Sequence, residues 1–413
     1  MALARHSSLA VLRHAEFRSY IGSRALFILV LNMQATLVSW KVYEITKDPL
    51  SIGLIGLAEF VPAFLAAFYS GFLIDRSDKR KVLVLSFAAN LLLTAAFALV
   101  TGQAAMAWVG KQAVLVGIYA ITFCSGLARA FSGPSSFALV TRLIPKEELP
   151  AAISWHSTSW QVSAVSGPAL AGLMYAKAGI TPTFLFMVCA MTVALLASLR
   201  IQPKPPEPVP EGETMLESIR QGFRFVWKSR EVLGALSLDL FAVFFGGATA
   251  LLPYFSDEIL GRGPEGLGIL RSAPSLGAVL LMIWVTIWPM RSRQGQYMLL
   301  SVAGFGICTI CFGLSTSFWL SFALLFLSGV LDGISVVVRS TILQMKTPDE
   351  MRGRVASLNS IFIMSSNELG AFESGITARW MGVVPAVVFG GCMTLIVTAA
   401  TWLKAPTLRK MEY

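Results

Sequence analysis

Nine ionisable residues stand inside long apolar runs of this chain: Arg24, Glu59, Arg129, Asp239, Arg271, Asp332, Arg339, Glu368 and Glu373. A central Asp or Arg costs about 2.5–3.5 kcal/mol on the membrane-insertion scale, so each needs a partner or a wet cavity. Acids and bases placed this way can do two kinds of chemistry. They can exchange partners and so act as a gate, or a carboxyl can take up and release a proton. The plainer reading of any one of them is a fixed ion pair that only sets helix packing.

Depth along the runs sorts the nine. Arg24, Asp239, Asp332 and Arg339 fall near one end and form a candidate inner gate. Arg24 and Asp239 are an opposite-charge pair 215 residues apart, at equivalent places in the two halves of the chain. Glu59, Arg271 and Glu373 fall near the other end, while Arg129 and Glu368 lie closer to the middle. Two close carboxylates resist joint ionisation, so Glu59 and Glu373, at comparable depth, are candidate proton carriers. Glu368 is their rival. At 100° per residue Asn32 and Thr36 share the face of Arg24, and Asn359 and Ser366 share the face of Glu373. With Arg129 and His156 these are the candidate cavity residues. His156 is read equally well as a partner for a backbone carbonyl.

Helices that cross a membrane must position this set. Of 413 residues 55% are hydrophobic and only 14% charged, with mean hydropathy +0.68. A soluble domain carries about 25% charged residues. About 20 apolar residues span a bilayer as helix, and twelve such segments are expected: residues 19–43, 50–74, 82–101, 113–140, 150–176, 180–200, 231–256, 265–289, 297–315, 318–341, 353–380 and 384–403. The fold class is therefore an all-α integral membrane protein. Residues 1–18 read as a basic amphipathic lead-in, 19–200 as one six-helix half, 201–230 as a linker with a surface helix, 231–403 as the second half and 404–413 as a tail.

The formal charge of +10 is not spread at random. Of 33 lysines and arginines, 23 fall in the termini and in alternate loops, and six in the opposite loops. Cations collect on the cytoplasmic side, so both termini are expected there, and nucleic acid is not an expected partner. The five cysteines all lie in apolar runs and form no disulfide framework. Cys308-x-x-Cys311 reads as packing, and no metal or other cofactor is expected. Neither a phosphate loop nor a catalytic set is recognisable, so the chain is not read as an enzyme or an ATP-driven motor.

Two offsets relate the halves. At 203 residues Ser154 aligns with Ser357, Gly167 with Gly370 and Gly172 with Gly375; at 215, Pro49 aligns with Pro264 and Gly53 with Gly268. Order along both halves is the signature of an internal repeat.

The basic hairpin Gly71-x-Leu73-x-Asp75-Arg76-x-x-Lys79-Arg80 resembles the signature loop between spans 2 and 3 of the major facilitator superfamily, with Asp78 where that family usually has Gly. Arg129-Ala-Phe-Ser132-Gly133 resembles the span 4 pattern of its proton-coupled drug exporters, and Gly167-Pro168…Gly172 the Gly-Pro motif of span 5. Stretches around Gly261–Gly268, Arg352–Arg354 and Asn367–Gly375 are similar to the branch containing enterobactin exporters and macrolide-efflux proteins. The resemblance implies the twelve-helix facilitator fold and alternating access. It also implies a conformational role for Gly71, Asp75, Arg76 and Arg80, with Asp75 packing against the start of span 11. The expected function is export of a small amphipathic organic compound in exchange for protons. The expected setting is a bacterial inner membrane, with lipid around a monomer. Alternatives are export of a transition metal or a lysophospholipid, or a non-transporting sensor or scaffold.

Overall fold

The structure is a computed structural model and describes residues 9–204, 215–288, 290, 292–348 and 351–412. The first eight residues of the expected lead-in and residues 205–214 of the expected linker lie outside the described residues. In hydrocarbon every backbone polar group must bond within the chain, which leaves the helix as the available form for these runs. The first six spans are α1 (Ala15–Thr46), α2 (Pro49–Asp75), α3 (Lys79–Thr101), α4 (Gln103–Leu143), α5 (Leu149–Ala178) and α6 (Ile180–Ser198). The surface helix is α7 (Met215–Lys228). Span 7 starts as α8 (Arg230–Phe245) and continues through a 3₁₀ turn (Ala248–Leu251), the single turn α9 (Leu252–Tyr254) and a π-turn (Phe255–Ile259). The remainder are α10 (Gly263–Ile287), α11 (Gln294–Leu314), α12 (Phe318–Lys346), α13 (Arg352–Met381), α14 (Val383–Lys404) and the short α15 (Pro406–Arg409).

Among the described residues, ten of these helices are both long and apolar enough to cross a membrane. α5 and α13, each of 30 residues, have the length but not the apolarity. α13 carries Asn359 and Ser366 of the candidate cavity set, and α5 carries His156. Spans 5 and 11 are also partners in the sequence repeat.

Two spans depart from the expected form. Span 7 is not one continuous helix. It breaks at Gly246-Gly247, where a Cβ on Gly246 would lie 2.5 Å from Phe305, and Pro253 follows in the next turn. Glycine without a side chain weakens a helix and proline removes a donor. α4 begins earlier than expected because Gly110, at φ 79°, joins a short leading segment to the long helix across a kink.

The chain divides into two compact units, residues 1–41 with 61–210, and residues 42–60 with 211–413. The end of α1 and the first half of α2 thus belong with the second unit, although they precede the linker. The repeat is visible inside each unit. Gly167 of α5 lies where a Cβ would be 2.7 Å from Asn32 of α1. At the matching offsets, a Cβ on Gly247 would be 3.1 Å from the carbonyl of Gly370 on α13. α5 and α13 both end on a glycine in the left-handed half of φ, Gly179 at 83° and Gly382 at 92°, again 203 residues apart.

Candidate functional site

In the first unit Arg24 is buried on α1 and bonded across to α5. Its Nε donates to His156 Nδ1 at 3.0 Å, and Nη1 donates to Ser159 Oγ at 3.2 Å. Tyr20, one turn earlier, places its hydroxyl 2.8 Å from His156 Nδ1 and donates to the Ser136 carbonyl on α4 at 2.8 Å. His156 therefore bonds side chains, not the backbone carbonyl that the sequence left open. The polar stripe of α1 is satisfied largely by its own helix: Asn32 Nδ2 donates to the Ile28 carbonyl and Thr36 Oγ1 to that of Asn32, both at 2.9 Å. Arg129 is exposed on α4. Gly167, Pro168 and Gly172 are buried on α5, with Gly167 at the close approach to α1.

In the second unit Asp239 of α8 and Arg339 of α12 form an ion pair, Oδ2 to Nη1, with side chains only 7% and 4% exposed. The two candidate gate residues Arg24 and Asp239 thus each have a partner inside their own unit. Asp332, two turns before Arg339 on α12, makes no hydrogen bond or ion pair among the described residues. Asn359 Oδ1 is buried without a hydrogen-bond partner among the described residues, and Ser366 is turned to the Ile363 carbonyl at 2.9 Å.

Further along α13, Arg271 of α10 feels the charges of Glu368 and, more weakly, Glu59. The backbones are close here, since a Cβ on Gly56 of α2 would lie 2.6 Å from the carbonyl of Glu368. The expected approach of Glu59 to Glu373 is not found. No charged side chain acts on Glu373, and its carboxyl has no bonded partner among the described residues. The reason is helical phase: five residues past Glu368, Glu373 is turned about 140° from it and away from the side that Glu59 and Arg271 share.

The same unit holds a cluster that the sequence did not reveal. Tyr43, at the end of α1, donates its hydroxyl to Asp257 Oδ2 at 2.7 Å or to Glu258 Oε1 at 2.9 Å, both on the π-turn. Lys47 Nζ donates to Asp257 at 2.6 Å and to the Tyr43 hydroxyl at 2.9 Å. Lys47 sits at φ 49°, a conformation that costs a residue with a Cβ roughly 1–2 kcal/mol. Partial desolvation acts against its charge, but the bond to Asp257 and its negative charge outweigh that and hold the ammonium pKa above the ordinary lysine value. Beside it, Asp48 caps α2 by accepting from Ser51 N at 3.1 Å and lies 3.8 Å from Arg379 of α13. A tyrosine in an apolar run carries no sequence signal of this kind; the acids after Pro253 were the available hint.

In the basic hairpin, Asp78 is the N-cap of α3, accepting from Arg80 N at 2.9 Å and also from Lys204 N at 3.1 Å. That gives a local reason for an acid at the position where a glycine was the family expectation. Arg80 Nη2 donates to the Leu199 carbonyl at the end of α6, at 3.1 Å. Gly71 and Arg76 are exposed; Asp75 closes α2, and its side chain lies outside the described residues.

Two curated relatives are the enterobactin exporter EntS of Shigella boydii serotype 18, 25% identical, and that of Escherichia coli O139:H28, 24% identical. Each alignment runs over 406 residues, 97% of this chain and 94% of the relative. Solved structures of similar fold include a POT family transporter in complex with 5-aminolevulinic acid, with TM-score 0.75 and 12% identity over 95% of this chain and 96% of that one. A D-xylose–proton symporter superposes with TM-score 0.73 and 11% identity over 97% and 100%. A bacterial homologue of the human lysosomal transporter Spinster, inward-facing and unoccupied, gives 0.70 and 15% over 95% and 98%. The family profile described as transmembrane secretion effector matches residues 6–413. With that match over nearly its whole length and the facilitator fold of its structural neighbours, the chain belongs to the transmembrane secretion effector family of major facilitator transporters.

Proposed function

We propose that the chain is a secondary exporter that moves a small amphipathic organic compound, of the siderophore or secondary-metabolite class, out of the cell in exchange for protons. The observation that carries the coupling is Glu373, a half-buried carboxyl without a bonded partner, close in sequence to Glu368, whose charge acts on Arg271 together with that of Glu59. A carboxyl at membrane depth with no cation to hold its charge is suited to carrying a proton. Glu59 and Glu368 then serve as the acids between which Arg271 shifts. Export of a siderophore-like compound is supported by the relatives named enterobactin exporter, matched across 97% of this chain. The excess of cations in alternate loops supports cytoplasmic termini, and hence a basic hairpin on the inner side of the inner membrane. Alternating access around Arg24, Asp239, Asp332 and Arg339 would open and close the inner gate by exchange of partners.

The test uses the purified chain in proteoliposomes, with a catecholate siderophore and amphipathic dyes as probes. An imposed pH gradient should drive uphill transport in the wild type. Glu373→Gln should abolish that transport yet spare exchange of substrate at equal concentrations. If Glu373→Gln keeps gradient-driven transport and Glu368→Gln loses it, Glu368 is the carrier. If no gradient moves any probe, the proton-coupled reading fails.

A further inference from the structure

We propose that an open groove between α1 and α6 binds one anionic phospholipid, its phosphate on Arg18 and Arg200 and an acyl chain along the helices below. The groove is open to the surface and offers about 780 Å³. Its lining changes character along its length. Arg18 and Arg200 stand at the mouth, and Gly22, Leu26, Val193 and Ala197 continue into the apolar bodies of α1 and α6.

The mouth carries uncommitted positive charge. Arg18 is exposed, and its Nη1 is anchored by the carbonyls of Leu12 at 3.0 Å and Arg13 at 3.4 Å, which leaves its other N–H groups for a ligand. Arg200 is exposed, and its guanidinium makes no hydrogen bond or ion pair among the described residues. The nearby acid, Glu16, is already neutralised: it accepts from Lys204 Nζ at 2.8 Å and from Gln202 N at 2.9 Å. Guanidinium groups suit phosphate because their paired donors match its oxygens.

The lower half explains why the ligand is a lipid. A free anion would use the arginines alone, whereas the groove runs on past them along apolar residues of two membrane helices. The groove is free at Gly22: a Cβ built there meets nothing within 4 Å, so the glycine is not required by packing inside the protein. The leaflet follows from the orientation proposed above, and anionic lipids are enriched on the cytoplasmic side. Binding itself does not depend on transport.

The full chain is purified in detergent and offered phosphatidylglycerol, phosphatidylcholine or inorganic phosphate, and retained lipid is counted by native mass spectrometry. The wild type should retain one phosphatidylglycerol in preference to phosphatidylcholine. Arg200→Gln should weaken retention about five-fold, the effect of one cation near an anionic headgroup. Gly22→Leu, which fills the groove from a position with free space, should lose retention at least as far without lowering the unfolding temperature in plain detergent. Equal retention of the two lipids, unchanged retention in Gly22→Leu, or displacement of the lipid by inorganic phosphate would each overturn the proposal. None of these outcomes bears on proton-coupled export, which is read in the transport assay.

Discussion

Asp239 and Arg339 show how much a single buried charge depends on its neighbour. Both side chains are almost fully enclosed, so removing one leaves the other charged in a poorly solvated place. Breaking a buried pair costs about 3–5 kcal/mol, whereas removing both partners costs far less. Asp239→Asn and Arg339→Gln should therefore each lower the unfolding temperature in detergent more than the double substitution does. Losses that simply add in the double-mutant cycle would show that the two do not act as a pair. The same logic explains Arg24, whose donors are met by the neutral acceptors His156 and Ser159. A guanidinium held by hydrogen bonds alone is easier to release than one held by a carboxylate. In the proposed cycle Arg24 is thus the inner-set member released most easily, and Asp239 the member held by an ion pair.

At the scale of elements, the repeat decides where helices approach. Gly370 of α13 faces α8 so closely that a Cβ would lie 2.7 Å from the carbonyl of Phe244 and 3.0 Å from its Cα. Backbone cannot move aside as a side-chain tip does, so Gly370→Ala should destabilise by about 1–3 kcal/mol through overpacking. Gly22→Ala, with open space around it, should be neutral or stabilise by up to about 1 kcal/mol from helix propensity alone. Thermal unfolding of the two variants side by side tests the packing argument, and equal midpoints would refute it. Much of this architecture was legible from the sequence. The hydropathy runs locate the helices, and the offset of 203 matches Gly167 to Gly370 from the sequence alone. What escaped were features set by direction around a helix and not by depth along it. Glu59 and Glu373 agree in depth, yet Glu59 acts on Arg271 with Glu368 while Glu373 faces elsewhere. Tyr43 was hidden for a similar reason. Its ring is apolar and buried, and only its hydroxyl joins the acids of the π-turn. The break in span 7 follows from a Gly-Gly pair that hydropathy does not register.

At the scale of the whole molecule, α2 is the helix to perturb, because the ion pair at Lys47 precedes it and the basic hairpin, proposed as a conformational element, follows it. Its first residues cluster with the second unit and its last residues with the first. Before its start, Lys47 ties the α1–α2 turn to Asp257; at its finish stands Asp75 of the basic hairpin. In the alternating-access cycle proposed here the tie at Lys47 must loosen when the outer side opens, and the role we propose for Asp75, from the resemblance of its hairpin to the facilitator signature loop, is to favour the state closed to the inside. Substitutions at the two ends should therefore push the equilibrium in opposite directions. The tie is about half exposed, and an exposed ion pair contributes at most about 1 kcal/mol, so Lys47→Gln should shift the populations by no more than about five-fold. The reporter is a cysteine in place of Ser366, buried on α13, in a background lacking the five native cysteines. A membrane-impermeant thiol reagent should label it faster from the inside in Asp75→Asn and faster from the outside in Lys47→Gln. The double variant should return towards the wild-type rates on both sides. If both single variants shift labelling in the same direction, or neither shifts it, the two ends of α2 do not oppose each other and the roles assigned to Asp75 and Lys47 are wrong.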